Sequence, residues 1–265
     1  MRLLVFLLPL FLAAQALRLA TTTSVYDSGL LDRLLPAFQQ ATGIRVEVLA
    51  VGTGQALKLA ERKDVDAVLV HAPELEAEAL RKGYLAGGFC LAENFFLLVG
   101  PKEDPARVRE ARDVLDALGR IARAKAPFVS RGDRSGTHLK ELSLWELARL
   151  KPTPPWYLES GAGMGQTLVL AAEKRAYTLS DLATHLTVGQ RRGLEALYAR
   201  EDPLLRNQYS YYRVPQTPGE GEAERLGRFL ASPEAAQLVE GLKVEGRSLF
   251  KPLRGQCIIP PGGGR

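Results

Sequence analysis

Several residue types are scarce in this chain of 265 residues. It has two Cys, two Met, two Trp and three His, and aromatic residues make up 7%. Asparagine occurs only as Asn94 and Asn207. Two cysteines exclude a disulfide-rich scaffold and allow one intramolecular pairing, Cys90 with Cys257; a disulfide and two buried thiols both fit. The histidines, His71, His138 and His185, are dispersed, and neither C-x-x-C nor H-E-x-x-H occurs, so no metal cation site is expected. The phosphate loop G-x-x-x-x-G-K-[ST] and the nucleophile elbow G-x-S-x-G are missing. Gly161-x-Gly163-x-Gly165 is not the dinucleotide fingerprint and follows no clear strand. Beyond the N-terminal run, no stretch is long and apolar enough for a membrane span. Few Asn and Met, with Arg far outnumbering Lys, fit a thermophile or a GC-rich genome.

The remainder is globular in kind, with 46% hydrophobic and 25% charged residues. That is enough apolar surface to offset ordering entropy, and the length suits one large domain or two modest ones. A net charge of +5 is too small to demand nucleic acid and admits an anionic ligand. Met1-Arg2, the apolar run from Leu3 to Ala14 and the ending Ala14-Gln15-Ala16 are the parts of a secretory leader. We expect residues 1–16 to be a signal peptide cleaved after Ala16, against the alternatives of a buried first strand or an uncleaved anchor. With no Cys near the cleavage site, a periplasmic protein without a lipid anchor is expected.

Strand and helix signals then alternate. Leu17 to Ala20 reads as a strand entering Thr21-Thr22-Thr23-Ser24, with Asp27 or Ser28 capping a helix through Leu30, Leu34 and Phe38. Ile44 to Val51 reads as a strand entering Gly52-Thr53-Gly54, and Val65 to Val70 as a short buried strand before a helix over Glu74 to Lys82. Asn94 to Val99 and Phe128 to Ser130 are further strands, and the latter runs into Arg131-Gly132-Asp133-Arg134-Ser135-Gly136-Thr137-His138. A helix from Leu139 to Leu150 carries Trp145 inward. Gly161 to Gly165 opens another helix, and Ser180-Asp181 caps the next. Tyr209 to Val214 alternates as a strand, two helices follow from Gly221 and Pro233, and Pro260 to Gly264 reads as a loose tail. The pattern predicts an α/β fold with a largely parallel sheet.

Three segments share one design: a strand end, then hydroxyl and glycine residues, then a helix. They are Thr21 to Ser24, Gly52 to Gly54, and Ser130 to Thr137. Such loops at the carboxyl edge of an open sheet offer helix N-terminal N–H groups, a positive dipole end and uncharged hydroxyl donors. Together they predict an anion site; the plain alternative is three ordinary helix caps.

These residues resemble a known family. Thr21-Thr22-Thr23-Ser24 with Asp27-Ser28-Gly29-Leu30-Leu31, then Val51 to Leu57, then Val68-Leu69-Val70-His71-Ala72-Pro73, resemble the tungstate-binding proteins of ABC importers (TupA-type). Ser130-Arg131-Gly132-Asp133 with Ser135-Gly136-Thr137-His138 and Lys140-Glu141 is the most distinctive run, and Gly163-Met164-Gly165 through Asp181 completes the pattern. The resemblance implies a two-lobed type II periplasmic binding fold with the ligand cleft between lobes. Lobe one would hold residues 17–90 and 208–265, lobe two residues 91–207, with the chain crossings near Asn94 to Val99 and Tyr209 to Val214.

It further implies a tungstate ligand, with molybdate possible, and delivery to an ABC importer permease and its ATPase, without catalysis or cofactor. The implied ligand residues are Thr22, Thr23, Ser24, Thr53, Gly54, Arg131, Ser135 and Thr137, with Gly163 and Met164 in second place. The alternative for Arg131 is a structural ion pair with Asp133 or Glu141. We expect a monomer with no nucleic-acid partner. Competing readings are a receptor for phosphate or sulfate, with Asp133 or Asp27 accepting the proton of hydrogen phosphate; an exported hydrolase using Ser135 and His138; and an adhesin using Arg131-Gly132-Asp133.

Overall fold

The computed structural model describes residues 16–255 and residue 257. The expected leader, apart from Ala16, and the expected tail lie outside the described residues. The chain opens with β1 (Leu17–Thr22), α1 (Thr23–Asp27), α2 (Leu30–Thr42), β2 (Val46–Val51), α3 (Thr53–Glu61), β3 (Ala67–Val70) and α4 (Pro73–Arg81). A long strand β4 (Ala86–Gly100) leads into α5 (Val114–Ala124), β5 (Phe128–Ser130), α6 (Gly136–Leu147), β6 (Tyr157–Glu159), α7 (Met164–Glu173), β7 (Thr178–Asp181), α8 (Leu182–Thr184) and β8 (Glu195–Tyr198). The chain returns through β9 (Arg206–Arg213), α9 (Glu220–Leu230), α10 (Pro233–Glu240), the hairpin of β10 (Lys243–Val244) and β11 (Arg247–Ser248), and β12 (Lys251–Gly255).

The start of the chain corrects one expected cap. Neither Asp27 nor Ser28 is the N-cap of α2; Gly29 is, with a left-handed φ of 76°. The preceding turn is itself helical, and Thr22 caps it by accepting the Val25 N–H. Helix α2 then buries Leu30, Leu31, Leu34 and Phe38, whose three- and four-residue spacing makes one apolar face.

The main sheet has the order β12-β4-β9-β3-β1-β2. Only part of it is parallel: β1 runs parallel to β2 and β3, while β5 and β6 form a separate two-stranded parallel sheet. Strand β9 is antiparallel to both β3 and β4, and β7, β8 and β12 are antiparallel to β4. The sheet is therefore mixed rather than largely parallel. Helical crossovers serve the first three strands, whereas the later strands pair through long-range returns.

Strand β4 links two halves of a two-lobed α/β molecule. Its first part lies between β9 and β12, and Phe96 to Gly100 pairs with β7 and β8. Leu91 and Ala92 pack into a core with Leu19, Leu34, Tyr211 and Leu226. Phe96 and Leu98 pack into another with Leu118, Phe128, Trp145 and Tyr177. Trp145 is buried, as its helical spacing predicts. Between the two cores Asn94 of β4 stands opposite Asn207 of β9, so the chain's two asparagines are register partners. Of the two states open for the cysteines, the structure holds the disulfide: Cys90 and Cys257 are bonded, with Cα atoms 5.1 Å apart.

Candidate anion-binding site

The three hydroxyl-rich loops all lead from strand ends into helices. Thr22 ends β1 and caps α1. Gly52 follows β2 and is the N-cap of α3, which starts at Thr53. Ser135 caps α6, its Oγ accepting the His138 N–H at 3.3 Å. Gly163 supplies a fourth start, as N-cap of α7. Each end presents N–H groups that its own helix leaves unpaired.

These loops meet across the two halves. A Cβ placed on Gly52 would lie 3.9 Å from the Asp133 carbonyl oxygen, one on Gly54 3.9 Å from that of Arg134, and one on Gly163 3.6 Å from Thr23 Oγ1. A Cβ on Gly136 would lie only 2.8 Å from the His71 ring, so this close approach requires glycine. Gly132, at φ 64°, lets the Arg131 loop turn against Glu159, where a Cβ would meet that side chain at 2.8 Å.

Burial and hydrogen bonding sort the expected ligand residues. Thr23 Oγ1, Thr53 Oγ1, Thr137 Oγ1 and Arg131 Nε and Nη1 are buried without a hydrogen-bond partner in the protein. All five can donate, and a buried donor left unpaired is costly unless a ligand satisfies it. The Thr22 and Ser24 hydroxyls are engaged instead: they lie 3.1 Å apart, and Thr22 Oγ1 also accepts the Val25 N–H. Ser135 Oγ accepts the His138 N–H in its cap and keeps its own O–H to donate. Gly54 and Gly163 stand at the contacts between loops, and Met164 is fully buried in a cluster with Val99, Val129 and Leu168, which accounts for it as packing.

Arg131 is 2% exposed and is both paired and available. Its Nη2 donates to Asp133 Oδ2 at 2.5 Å, while Nε and Nη1 remain without partners. The ion-pair alternative thus holds for Asp133 but not for Glu141, whose Oε1 accepts from Trp145 Nε1 and Tyr157 OH. Asp133 Oδ1 accepts the Ser135 N–H, so each carboxylate oxygen already accepts one hydrogen bond. His138 Nδ1 accepts the Arg134 N–H, and no contact joins the imidazole to the Ser135 hydroxyl as a nucleophile pair would need.

Sequence reasoning missed a polar chain beside these loops. Ser24 Oγ lies 3.4 Å from His71 Nε2, and His71 Nδ1 lies 2.9 Å from Asn207 Oδ1. Asn207 Nδ2 donates to Asn94 Oδ1 at 2.9 Å and to Tyr209 OH at 2.7 Å. Burial pushes the His71 pKa down to about 4, against the raising influence of Asn207 and with further lowering from Arg131, so the ring is neutral. Asp181, fully buried, caps α8 by accepting from Thr184 N and Oγ1; burial raises its pKa, with Thr184 and Arg131 opposing. The available signal for this chain was scarcity: the only two asparagines fall where the strands were expected to cross.

The geometry is that of a two-lobed solute receptor, with buried, unpaired donors on loops from both halves. A model of the PBP superfamily domain matches residues 13–234. The chain is 39% identical over 244 residues to the tungstate-binding protein TupA of Peptoclostridium acidaminophilum, covering 88% of this chain and 84% of that one. Among solved structures, the tungstate ABC transporter protein of Geobacter sulfurreducens is 41% identical with a TM-score of 0.77, over 84% of this chain and 97% of that one. TupA of Desulfovibrio alaskensis G20 is 40% identical with a TM-score of 0.75, over 90% and 99%. The chain belongs to the PBP superfamily and, within it, to the TupA family.

Proposed function

We propose that this protein is an extracytoplasmic receptor that binds tungstate, with molybdate as the near twin, and hands it to an ABC importer permease driven by its ATPase. The observation that carries this reading is that five of the nine buried, unpartnered side-chain atoms among the described residues are donors of Thr23, Thr53, Arg131 and Thr137, on loops from both halves. Such a set suits a fully deprotonated tetrahedral oxyanion, which only accepts hydrogen bonds. Thr23, Thr53, Thr137 and Arg131 are its side-chain ligands, and the starts of α1, α3, α6 and α7 add main-chain donors. Thr22, Ser24 and Ser135 shape the loops, and Gly54 and Gly163 allow their approach.

The lobes divide at the paired crossings of β4 and β9, near Asn94 and Asn207. Hinge closure brings the two sets of loops together, as in other two-lobed receptors. Export through the leader places the monomeric receptor in the periplasm. No cofactor is needed.

Hydrogen phosphate is a poorer fit because it must also donate its proton, and the Asp133 carboxylate is already tied to Arg131 and the Ser135 N–H. Thermal unfolding tests the reading. Tungstate at about a hundredfold over its dissociation constant is expected to stabilise the protein by roughly 2.7 kcal/mol. Equal stabilisation by phosphate or sulfate at the same concentrations would refute the cargo assignment.

A further inference from the structure

His71 touches three parts of the molecule that must come into register when an anion is enclosed. It follows β3 and is 4% exposed. Asn207 fixes its tautomer: with Nδ2 given to Asn94 and Tyr209, Oδ1 faces the ring and can only accept, so His71 Nδ1 carries the proton. Nε2 is then the acceptor, and it lies beside Ser24 Oγ in the first anion loop. The ring also packs 5.1 Å from Tyr209 of β9 and 6.3 Å from Phe96 of β4, centroid to centroid. Its third neighbour is the start of α6, where a Cβ on Gly136 would come within 2.8 Å of Cε1, 2.9 Å of Nδ1 and 2.9 Å of the residue 71 carbonyl oxygen. All three of those nearest atoms belong to His71, across the meeting of the halves.

We infer that His71 is a positioning residue for anion capture: it ties Ser24 of the first loop to the asparagine pair of the crossing strands, and it is the seat on which Gly136 brings in the helix that carries Thr137. The imidazole donates none of its own hydrogens to the anion. It sets the first loop and the closing helix with one side chain, so that the donors Thr23, Thr137 and Arg131 arrive together. This inference rests on the receptor reading above and adds a residue that acts through the others.

Two variants test it, each measured by calorimetric titration with sodium tungstate and by small-angle scattering with and without tungstate. Gly136→Ala leaves residue 71 intact and adds one methyl at the seat. His71→Ala removes the seat and the tie to Ser24. For each, the dissociation constant is expected to rise about tenfold or more, the range for an overpacked or lost close contact. Each is also expected to lose the tungstate-induced compaction at concentrations that compact the wild type. If the contact forms only as the lobes close on the anion, the ligand-free melting temperature of Gly136→Ala should match the wild type, which a merely structural role would not predict. In the Gly136→Ala, His71→Ala double variant, the loss should fall short of the product of the single losses, because both act at one contact.

Wild-type affinity and compaction in Gly136→Ala would overturn the inference, whether or not His71→Ala folds. Failure of the wild type to bind tungstate or molybdate is a different result, which removes the receptor reading and this inference with it.

Discussion

Thr137→Val separates a ligand donor from a structural hydroxyl. Thr137 is 1% exposed in the first turn of α6, and its Oγ1 has no partner in the protein. Valine keeps the shape and branching and replaces only the hydroxyl. Folding therefore loses no internal hydrogen bond, and the ligand-free melting temperature should be unchanged or slightly higher. Binding should suffer, because a hydrogen bond to a charged acceptor contributes about 1.5–3 kcal/mol, which is about 10- to 150-fold in the dissociation constant for tungstate. Ser135→Ala, two residues earlier, should behave differently. It removes the oxygen that accepts the His138 N–H, and loss of such a cap costs about 1 kcal/mol, or about 2–4 °C for a chain of this size. Isothermal titration and scanning calorimetry on the two variants read both quantities. The reasoning fails if Thr137→Val binds tungstate within about twofold of wild type, or if its ligand-free form melts several degrees early.

Further outcomes follow from other parts of the structure. Arg131→Ala should weaken tungstate binding by at least about 2 kcal/mol, roughly thirtyfold, and, by stripping Asp133 of its ion pair, should also lower the ligand-free melting temperature; titration and melting curves check the two effects. Reduction of Cys90–Cys257, which closes a separation of 167 residues, should cost on the order of 5 kcal/mol by loop entropy, measured as a lower urea midpoint in reductant. Burial raises the carboxyls of Glu76 and Glu141 to about 7, so the folded state holds their protons where the unfolded chain has lost them, and each removes stability as pH climbs from 4.5 to about 7. His71 and His185, pushed down to about 4, act oppositely, adding stability as pH climbs from about 4 to 6.5. Glu141→Gln should therefore gain on the wild type by on the order of 3 kcal/mol between pH 5 and pH 8, read from denaturation at several pH values.

Local chemistry explains what the sequence made legible. Thr22, Gly52 and Ser135 sit at helix starts because strand-end hydroxyls and glycines satisfy or expose the first N–H groups, and that signal is confined to a few neighbouring residues. Phe128–Ser130 is a strand with the bounds its apolar run suggests. Pairing is not local. The Ala86–Glu93 half of β4 contains Gly87 and Gly88 and carries a weak strand signal by itself; its partners β9 and β12 lie more than a hundred residues on. For the same reason the antiparallel returns and the disulfide could not be read along the chain.

At the site, residue types pointed to the right loops but not to which hydroxyls remain free. Thr22, Thr23 and Ser24 look alike in sequence. Only Thr23 escapes the capping and His71 contacts that occupy its neighbours. His71 lies in one of the family-like runs, but its role was not legible there, since it depends on Asn207, 136 residues away.

The central claim, capture of a deprotonated tetrahedral oxyanion between the two halves, is tested most directly by calorimetric titration of the protein from Leu17 onward with tungstate, molybdate, sulfate and phosphate at one pH and ionic strength. One tungstate per chain is expected, bound more tightly than sulfate or phosphate, with molybdate as the nearest competitor. Absence of tungstate binding, or binding of phosphate or sulfate as tightly as tungstate, would contradict it.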